Sequence, residues 1–448
     1  MSVIAAVATG GVKAALSVIR MSGEGCHELA LRLFEPASGK APRTGRASFG
    51  TLRSSDGRPI DTCVAVFSRA PKSYTGEDTV ELSVHGSPVV TAAVLRELFE
   101  LGARQAGPGE FTQRAFLNGK FDLTAAEAVA DIVDARTETA ARNAAAQLTG
   151  GLLARIREIY SDLTYLPAHF SALVDFPDED VEPADEAEVL DALKKAELEL
   201  GVLEASTERG RVLREGVPAA LAGRVNAGKS SLLNALCGSD RAIVTDIPGT
   251  TRDTVETELT LGGVLLRLSD TAGLRETDDP VEKLGVARAE AAVCGAELLL
   301  AVFDGSAPAC ADDERVAALK APRRIAVVNK CDLPASPEAF IPEGFDAVVR
   351  VSAKTGKGLE ELSLAAAELF GASEPPNGEI ITNLRQAEAV SRARAAVARA
   401  VEAAEAGVTP DAVLLDVEEG LGALAELTGA SVRDDIVEQI FSRFCIGK

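Results

Sequence analysis

Residues 223–231 read GRVNAGKSS: a glycine, four free positions, then Gly-Lys-Ser. An apolar run, 217–222, precedes the stretch, and 230–236 has the pattern of a short helix. Strand, glycine-rich loop and helix form the setting in which such a loop cradles phosphate. Its backbone N–H groups turn toward phosphate oxygens, and the helix start adds the positive end of its dipole. Asn226, Ala227, Gly228, Lys229, Ser230 and Ser231 would line that cradle. Lys229 would reach the β- and γ-phosphates, and the Ser230 hydroxyl would sit on Mg2+. The loop specifies a nucleotide without saying which.

Four later motifs follow in order, after or between apolar runs that predict strands. The loop TDIPGTTRD (Thr245, Asp246, Ile247, Pro248, Gly249, Thr250, Thr251 and onward) suits a switch, with the Thr251 hydroxyl completing the Mg2+ shell. Next comes DTAG (Asp270, Thr271, Ala272, Gly273), where Asp270 can hold Mg2+ through water and the Gly273 N–H can reach the γ-phosphate. NKCD (Asn329, Lys330, Cys331, Asp332) can read the base, because Asp332 can accept both N–H groups of the guanine edge, which adenine does not offer. Ser352, Ala353 and Lys354 then back the base. Ligands at the carboxyl ends of strands fit an open α/β sheet, and the set reads as a GTP/GDP site.

After DTAG stands Leu274, where Ras-type enzymes place a water-orienting glutamine. Leucine cannot orient water, so hydrolysis must recruit another group. Glu282 is the nearest carboxylate at a predicted helix start, although by position alone it reads as an acid stabilised there. Charge in the transition state also needs a cation: Arg252, Arg275, or a monovalent ion held by Asn226.

A length of 448 residues suggests about three domains. The formal net charge of −22 argues against a surface that binds nucleic acid throughout. Seven cysteines without a CxxC pair fit reduced thiols, and three scattered histidines offer no metal site. No membrane-spanning run or cleavable leader is visible, so a cytoplasmic protein is expected.

The first 120 or so residues predict a small α+β domain, with strands at 3–9, 14–20, 61–68 and 80–85 and helices at 24–33 and 88–101. A capping box from Thr124 to Glu127 starts a helix expected to run almost to Phe176. A second box, Asp185 to Glu188, opens another that reaches about Arg209. Strand–helix alternation follows from Gly216, with a hairpin at 254–260 and 264–269 and buried strands at 296–304 and 324–329. Helices are expected at 281–294, 312–319 and 358–370, then again at 384–406, 411–427 and 432–444. The pattern suggests an α/β domain inserted into a discontinuous helical one, with bounds 1–119, 120–215, 216–371 and 372–448.

Five stretches, GRVNAGKSSLLNAL, TDIPGTTRD, DTAGLRETDD, PGEFTQRAFLNGKFDL and the final FCIGK, closely resemble the MnmE (TrmE) family of tRNA modification GTPases across essentially the whole chain. The last two are far more specific than the nucleotide motifs. The resemblance implies an N-terminal α+β domain that dimerises and is similar to folate-binding domains, a split helical domain and an inserted Ras-like P-loop G domain. It implies K+ held by Asn226, Thr245, Ile247 and Thr250, facing G domains, and Glu282 as the residue that orients water. It implies a homodimer, a heterotetramer with a FAD-containing MnmG-like protein, and modification of the wobble uridine of certain tRNAs. The implied product is a 5-carboxymethylaminomethyl or aminomethyl group made with 5-formyl- or methylene-tetrahydrofolate, and the family's folate contacts match Arg20, Glu81, Lys120 and Lys448. Cys445 matches a cysteine that the modification requires, although between Phe444 and Ile446 it also reads as packing. The region ATGGVKAALSVIRMSG departs from the family's usual, more glycine-rich text, while Arg20 keeps its I-R-x-S-G setting. The competing reading, a GTP-dependent ribosome or RNA assembly factor, leaves PGEFTQRAFLNGK and FCIGK without a purpose.

Overall fold

A computed structural model of the chain describes residues 2–175, 186–238, 257–268, 293–372, 377–430, 437, 440–442 and 444–447. It divides into two compact units, Met1–Ala130 with Leu421–Lys448, and Asp131–Gly420.

The first unit is built on a seven-stranded sheet in the order β3-β4-β5-β6-β2-β1-β7. Its strands are β1 (Ile4–Val7), β2 (Leu16–Ser22), β3 (Phe34–Pro36), β4 (Ala47–Arg53), β5 (Pro59–Ser68), β6 (Thr79–His85) and β7 (Arg104–Gln105). Alternation decides the faces. Ile19 and Met21 of β2, Val80, Leu82 and Val84 of β6, and Cys63, Ala65 and Phe67 of β5 are buried in one cluster with Ala30, Val94 and Leu98. Those last three belong to the helices Cys26–Leu33 and Pro88–Glu100. Burial pushes the Cys26 and Cys63 thiols up to about 12, so both behave as small apolar side chains. On the opposite face Ile4 and Ala6 pack with Phe111 of the helix Glu110–Leu117.

The second unit carries a six-stranded sheet, order β13-β12-β11-β8-β10-β9. It comprises β8 (Val217–Gly223), β9 (Thr257–Leu261), β10 (Val264–Leu268), β11 (Leu298–Asp304), β12 (Arg323–Asn329) and β13 (Ala347–Arg350). Every pairing is parallel except β9 with β10. Both faces are covered, which is why β11, LLLAVFD, is buried along its whole length. Leu298, Leu300 and Val302 pack toward Leu362 and Ala366 of the helix Leu359–Leu369. Leu299, Ala301 and Phe303 pack toward Val316 of the helix Ala311–Ala318, with Phe340 stacked on Phe303. The unit also holds the helices Glu138–Leu148, Gly151–Asp175, Glu186–Glu215 and Leu384–Glu405.

Several expectations need correction. The single helix from Thr124 toward Phe176 is three: Leu123–Asp134, Glu138–Leu148 and Gly151–Asp175. Thr137 makes the first break, accepting the Ala140 N–H at 3.1 Å as a new N-cap, and Gly150 sits at the second. Thr124 is not the cap of its helix; Asp122 is, accepting the N–H groups of Thr124 and Ala125 at 2.8 and 3.1 Å. The helix placed to end near Arg209 continues to Glu215, and the strand placed at 14–20 lies at 16–22. Strands β3, β4, β7 and β13 have no counterpart among the predicted strands. Asp185 and most of the helices expected at 281–294 and 432–444 lie outside the described residues.

Candidate nucleotide site and the N-terminal cluster

Strand β8 runs between β11 and β10 and ends at Gly223, directly before the glycine-rich loop. The loop turns through two left-handed residues, Asn226 at φ 61° and Gly228 at φ 95°, and enters the helix Lys229–Gly238. Gly228 has a second constraint, because a Cβ there would overlap Nδ2 of Asn329. Ala227 is buried, and Asn226 is exposed. Lys229 donates to the carbonyls of Gly223 and Arg224 at 2.8 and 2.9 Å, so its ammonium lies within the curve of the loop. Ser230 is half-buried at the first turn and Ser231 is exposed.

The base-reading motif leaves the end of β12. Asn329 is 2% exposed and donates to the Ala227 carbonyl at 2.9 Å, while its Oδ1 accepts the Ala353 N–H at 3.0 Å. Lys330 adopts φ 65° and donates to Asp304 at 2.7 Å. Asp332 is exposed and accepts the Ser352 hydroxyl at 2.7 Å. That hydrogen bond and the cations of Lys354 and Lys330 hold its carboxyl below the usual range, leaving it an ionised acceptor. Lys354 is exposed. The fold therefore brings Asn226–Ser231, Asn329–Asp332 and Ser352–Lys354 to one sheet edge. Thr245, Asp246, Ile247, Pro248, Gly249, Thr250 and Thr251 lie outside the described residues, as do Arg252, Asp270, Thr271, Ala272, Gly273, Leu274, Arg275 and Glu282.

Sequence reasoning missed the outer support of this site. Asp304, Arg224 and Asp313 form a connected set beside the loop, with Arg224 donating to Asp313 at 3.0 Å. An acid ending a wholly apolar strand, as Asp304 ends β11, was the available signal.

In the first unit Arg20 and Glu81 are register partners on β2 and β6, paired at 2.8 Å. The Arg20 guanidinium lies 4.7 Å from the Tyr74 ring centroid and 5.7 Å from that of Phe111. Lys120 donates to the Pro71 carbonyl at 3.1 Å. Ile446 bridges Pro108, and Gly109 N–H donates to the Cys445 carbonyl at 3.3 Å, so FCIGK and PGEFTQRAF are adjacent. Cys445 is exposed, which removes the reading of a buried packing cysteine. Lys448 lies outside the described residues. Several arginines outside the site are paired with acids: Arg211 with Glu208 and Glu297, Arg394 with Glu204, and Arg399 with Asp416 and Glu419. Among the described residues no acidic, His or Cys cluster could hold a metal, and no helix is long and apolar enough to cross a membrane.

A largely parallel sheet whose glycine-rich loop is stitched to an Asn-Lys-x-Asp turn defines a P-loop GTPase in a chain of mixed α/β and α units. Two family descriptions match: "GTP-binding protein TrmE N-terminus" over residues 3–120 and "MnmE helical domain" over 123–445. The chain belongs to the MnmE (TrmE) family. A chain named tRNA modification GTPase MnmE from Roseiflexus castenholzii is 44% identical, with 99% of each chain covered. One of the same name from Akkermansia muciniphila is 42% identical over 99% of this chain and 98% of its own.

Proposed function

We propose that this chain is a K+-activated GTPase of tRNA modification. With a FAD-containing MnmG-like partner it installs the 5-carboxymethylaminomethyl or aminomethyl group on the wobble uridine of certain tRNAs, in the cytoplasm. The observation that carries the reading is the end-to-end likeness to chains named tRNA modification GTPase. The working bounds are those of the sequence: an N-terminal dimerising, folate-binding-like domain over 1–119, a helical domain over 120–215 and 372–448, and a G domain over 216–371.

In this reading Lys229 exchanges its two loop carbonyls for phosphate oxygens, and Asp332 receives the guanine edge. Ser230 and Thr251 hold Mg2+, which neutralises developing phosphate charge when bound. Asn226, left-handed and exposed on the loop, would supply a side-chain oxygen to K+, with Thr245, Ile247 and Thr250 completing the shell. Glu282 orients the attacking water once two G domains face each other. The Arg20–Glu81 pair over Tyr74 and Phe111 offers aromatic faces and paired charge, which suit the flat heterocycle of 5-formyl- or methylene-tetrahydrofolate. Lys120 and Lys448 would meet its anionic tail, with Cys445 beside it. The net charge of −22 fits tRNA being held mostly by the partner.

The test is GTP turnover by the purified chain in K+ against Na+ at matched ionic strength, followed by nucleoside analysis of tRNA incubated with the flavoprotein partner. Turnover raised by K+ alone and a modified wobble uridine support the reading. Equal rates in both salts sink the ion mechanism, and unmodified tRNA with active hydrolysis points to an assembly factor.

A further inference from the structure

Asp304 lies between two cations that come from opposite ends of the nucleotide site. Its side chain is 8% exposed, and its Oδ2 meets Lys330 Nζ at 2.7 Å and Arg224 Nη2 at 3.9 Å. Arg224 belongs to the glycine-rich loop, and its carbonyl accepts Lys229. Lys330 belongs to the base-reading turn. The other carboxylate oxygen, Oδ1, accepts the Ser306 N–H at 2.9 Å and its hydroxyl at 2.7 Å, so the group has anchors besides the two cations.

The two cations do not depend on Asp304 equally. Arg224 has a nearer acid in Asp313, 3.0 Å away and itself 3% exposed, and it also donates to the Pro308 carbonyl at 3.0 Å. Lys330 has Asp304 as its ion-pair partner. It also adopts the left-handed conformation, which costs a residue other than glycine about 1 kcal/mol. Such a turn persists when its surroundings hold it. Asn329 anchors one side of Lys330 to Ala227, and Cys331 N–H anchors the other to the Val351 carbonyl at 3.0 Å. The ammonium on Asp304 is the third anchor. Asp304 is also the cross-strand register partner of Asn329, so sheet and ion pair fix the same turn.

We propose that Asp304 is a positioning residue for the bound guanine nucleotide. It holds the Lys330 ammonium and with it the turn that presents Asp332, and it joins that turn to the glycine-rich loop through Arg224. Asp304 does not touch the nucleotide; it sets how long the nucleotide stays. The proposal rests on the guanine-nucleotide reading above.

The experiment compares full-length wild type, Asp304→Asn, Lys330→Met and the double variant. It measures the release rate of a fluorescent GDP analogue, the preference for GDP over XDP, and the melting temperature without nucleotide. The amide of Asp304→Asn still accepts from Ser306, so the turn at 304–306 survives while the anion is lost. Wild type that fails to bind GDP refutes the guanine reading itself, separately from this proposal. Given binding, Asp304→Asn is expected to release GDP about tenfold faster, the scale of one charge-assisted hydrogen bond. The preference for GDP over XDP should weaken with it, because the loosened turn carries Asp332, while nucleotide-free melting should stay as in wild type and the double variant should release no faster than Lys330→Met alone. Wild-type release from Asp304→Asn, or effects that multiply in the double variant, overturns the proposal. A fall in nucleotide-free melting that accounts for the faster release also overturns it, because the ion pair would then be merely structural.

Discussion

The side-chain amide of Asn329 donates to the Ala227 carbonyl at 2.9 Å, which fastens the base-reading turn to the phosphate loop. Each residue is buried, and the bond joins the ends of two parallel strands, β12 and β8. The relative position of the two half-sites is therefore set before a ligand arrives.

Removing that bond should cost more in binding than in folding. Asn329→Ala strands the Ala227 carbonyl and the Ala353 N–H, each a loss of about 1 kcal/mol in stability. Because the same change misaligns both half-sites, GDP affinity is expected to fall roughly a hundredfold, equivalent to about 2.7 kcal/mol. Calorimetric titration with GDP and thermal melting of the nucleotide-free chain separate the two effects. Equal losses in both would mean that the bond only stabilises the fold.

Asp332→Asn tests base recognition alone. The carboxylate is exposed and its support, Ser352 Oγ at 2.7 Å, can equally donate to an amide oxygen, so the fold should be unaffected. An amide offers a donor where guanine also presents one, and xanthine presents an acceptor instead. Preference should move from GTP toward XTP by roughly two orders of magnitude, the scale of leaving one polar group unpaired in a binding site. Competition binding with both nucleotides reads it directly; unchanged GTP selectivity removes Asp332 from its role.

How far the sequence disclosed the site depends on how local each signal is. The loop at 223–231, the Asn329–Asp332 turn and the hairpin around Gly262–Gly263 are short and chemically constrained, and each lies where its pattern puts it. The three-way break of the helix from Thr124 was hidden because Thr137 caps a helix inside an alanine-rich run with uniform helical propensity. Strand β4 escaped because its half-exposed sequence, ASFGTLR, shows little hydrophobic alternation and gains its place by pairing with β3 and β5. The Arg224–Asp304–Lys330 set is a tertiary relation between three segments, and no spacing in the chain announces it.

Glu110 should make the first unit acid-sensitive. Burial pushes its carboxyl up, but Arg104, the Gly107 N–H and Arg114 outweigh this and bring it to about 2. A folded-state value below the unfolded one means stability that is fully present above the unfolded value and lost as pH falls through the folded one. The window therefore runs from about 4.5 down to about 2. Discounting the half-exposed Arg104, the contribution at neutral pH is about 2 kcal/mol. Glu110→Gln should lower stability by that order at pH 7, and the deficit should shrink by pH 3. Urea unfolding at both values checks it; a deficit independent of pH would assign the loss to packing.

Gly210 sits inside the helix Glu186–Glu215, where glycine is unfavourable by about 1 kcal/mol relative to alanine. Propensity alone predicts that Gly210→Ala stabilises the chain. The structure predicts the reverse, because a Cβ there would overlap the carbonyl oxygen of Ile381. That segment, which leads from 377 into the helix Leu384–Glu405, is held by Asn143 and Gln147, both donating to the Ile380 carbonyl at 3.1 and 2.7 Å. Ser206 also accepts the Ile381 N–H at 3.2 Å. Backbone so tethered cannot step aside without breaking buried hydrogen bonds worth about 1 kcal/mol each. Two or three such losses exceed the gain in propensity, so Gly210→Ala should melt lower by roughly 1–2 kcal/mol in stability. Thermal melting of the variant decides between them: a higher melting temperature would show that the segment yields, and that its tethers are weaker than their geometry implies.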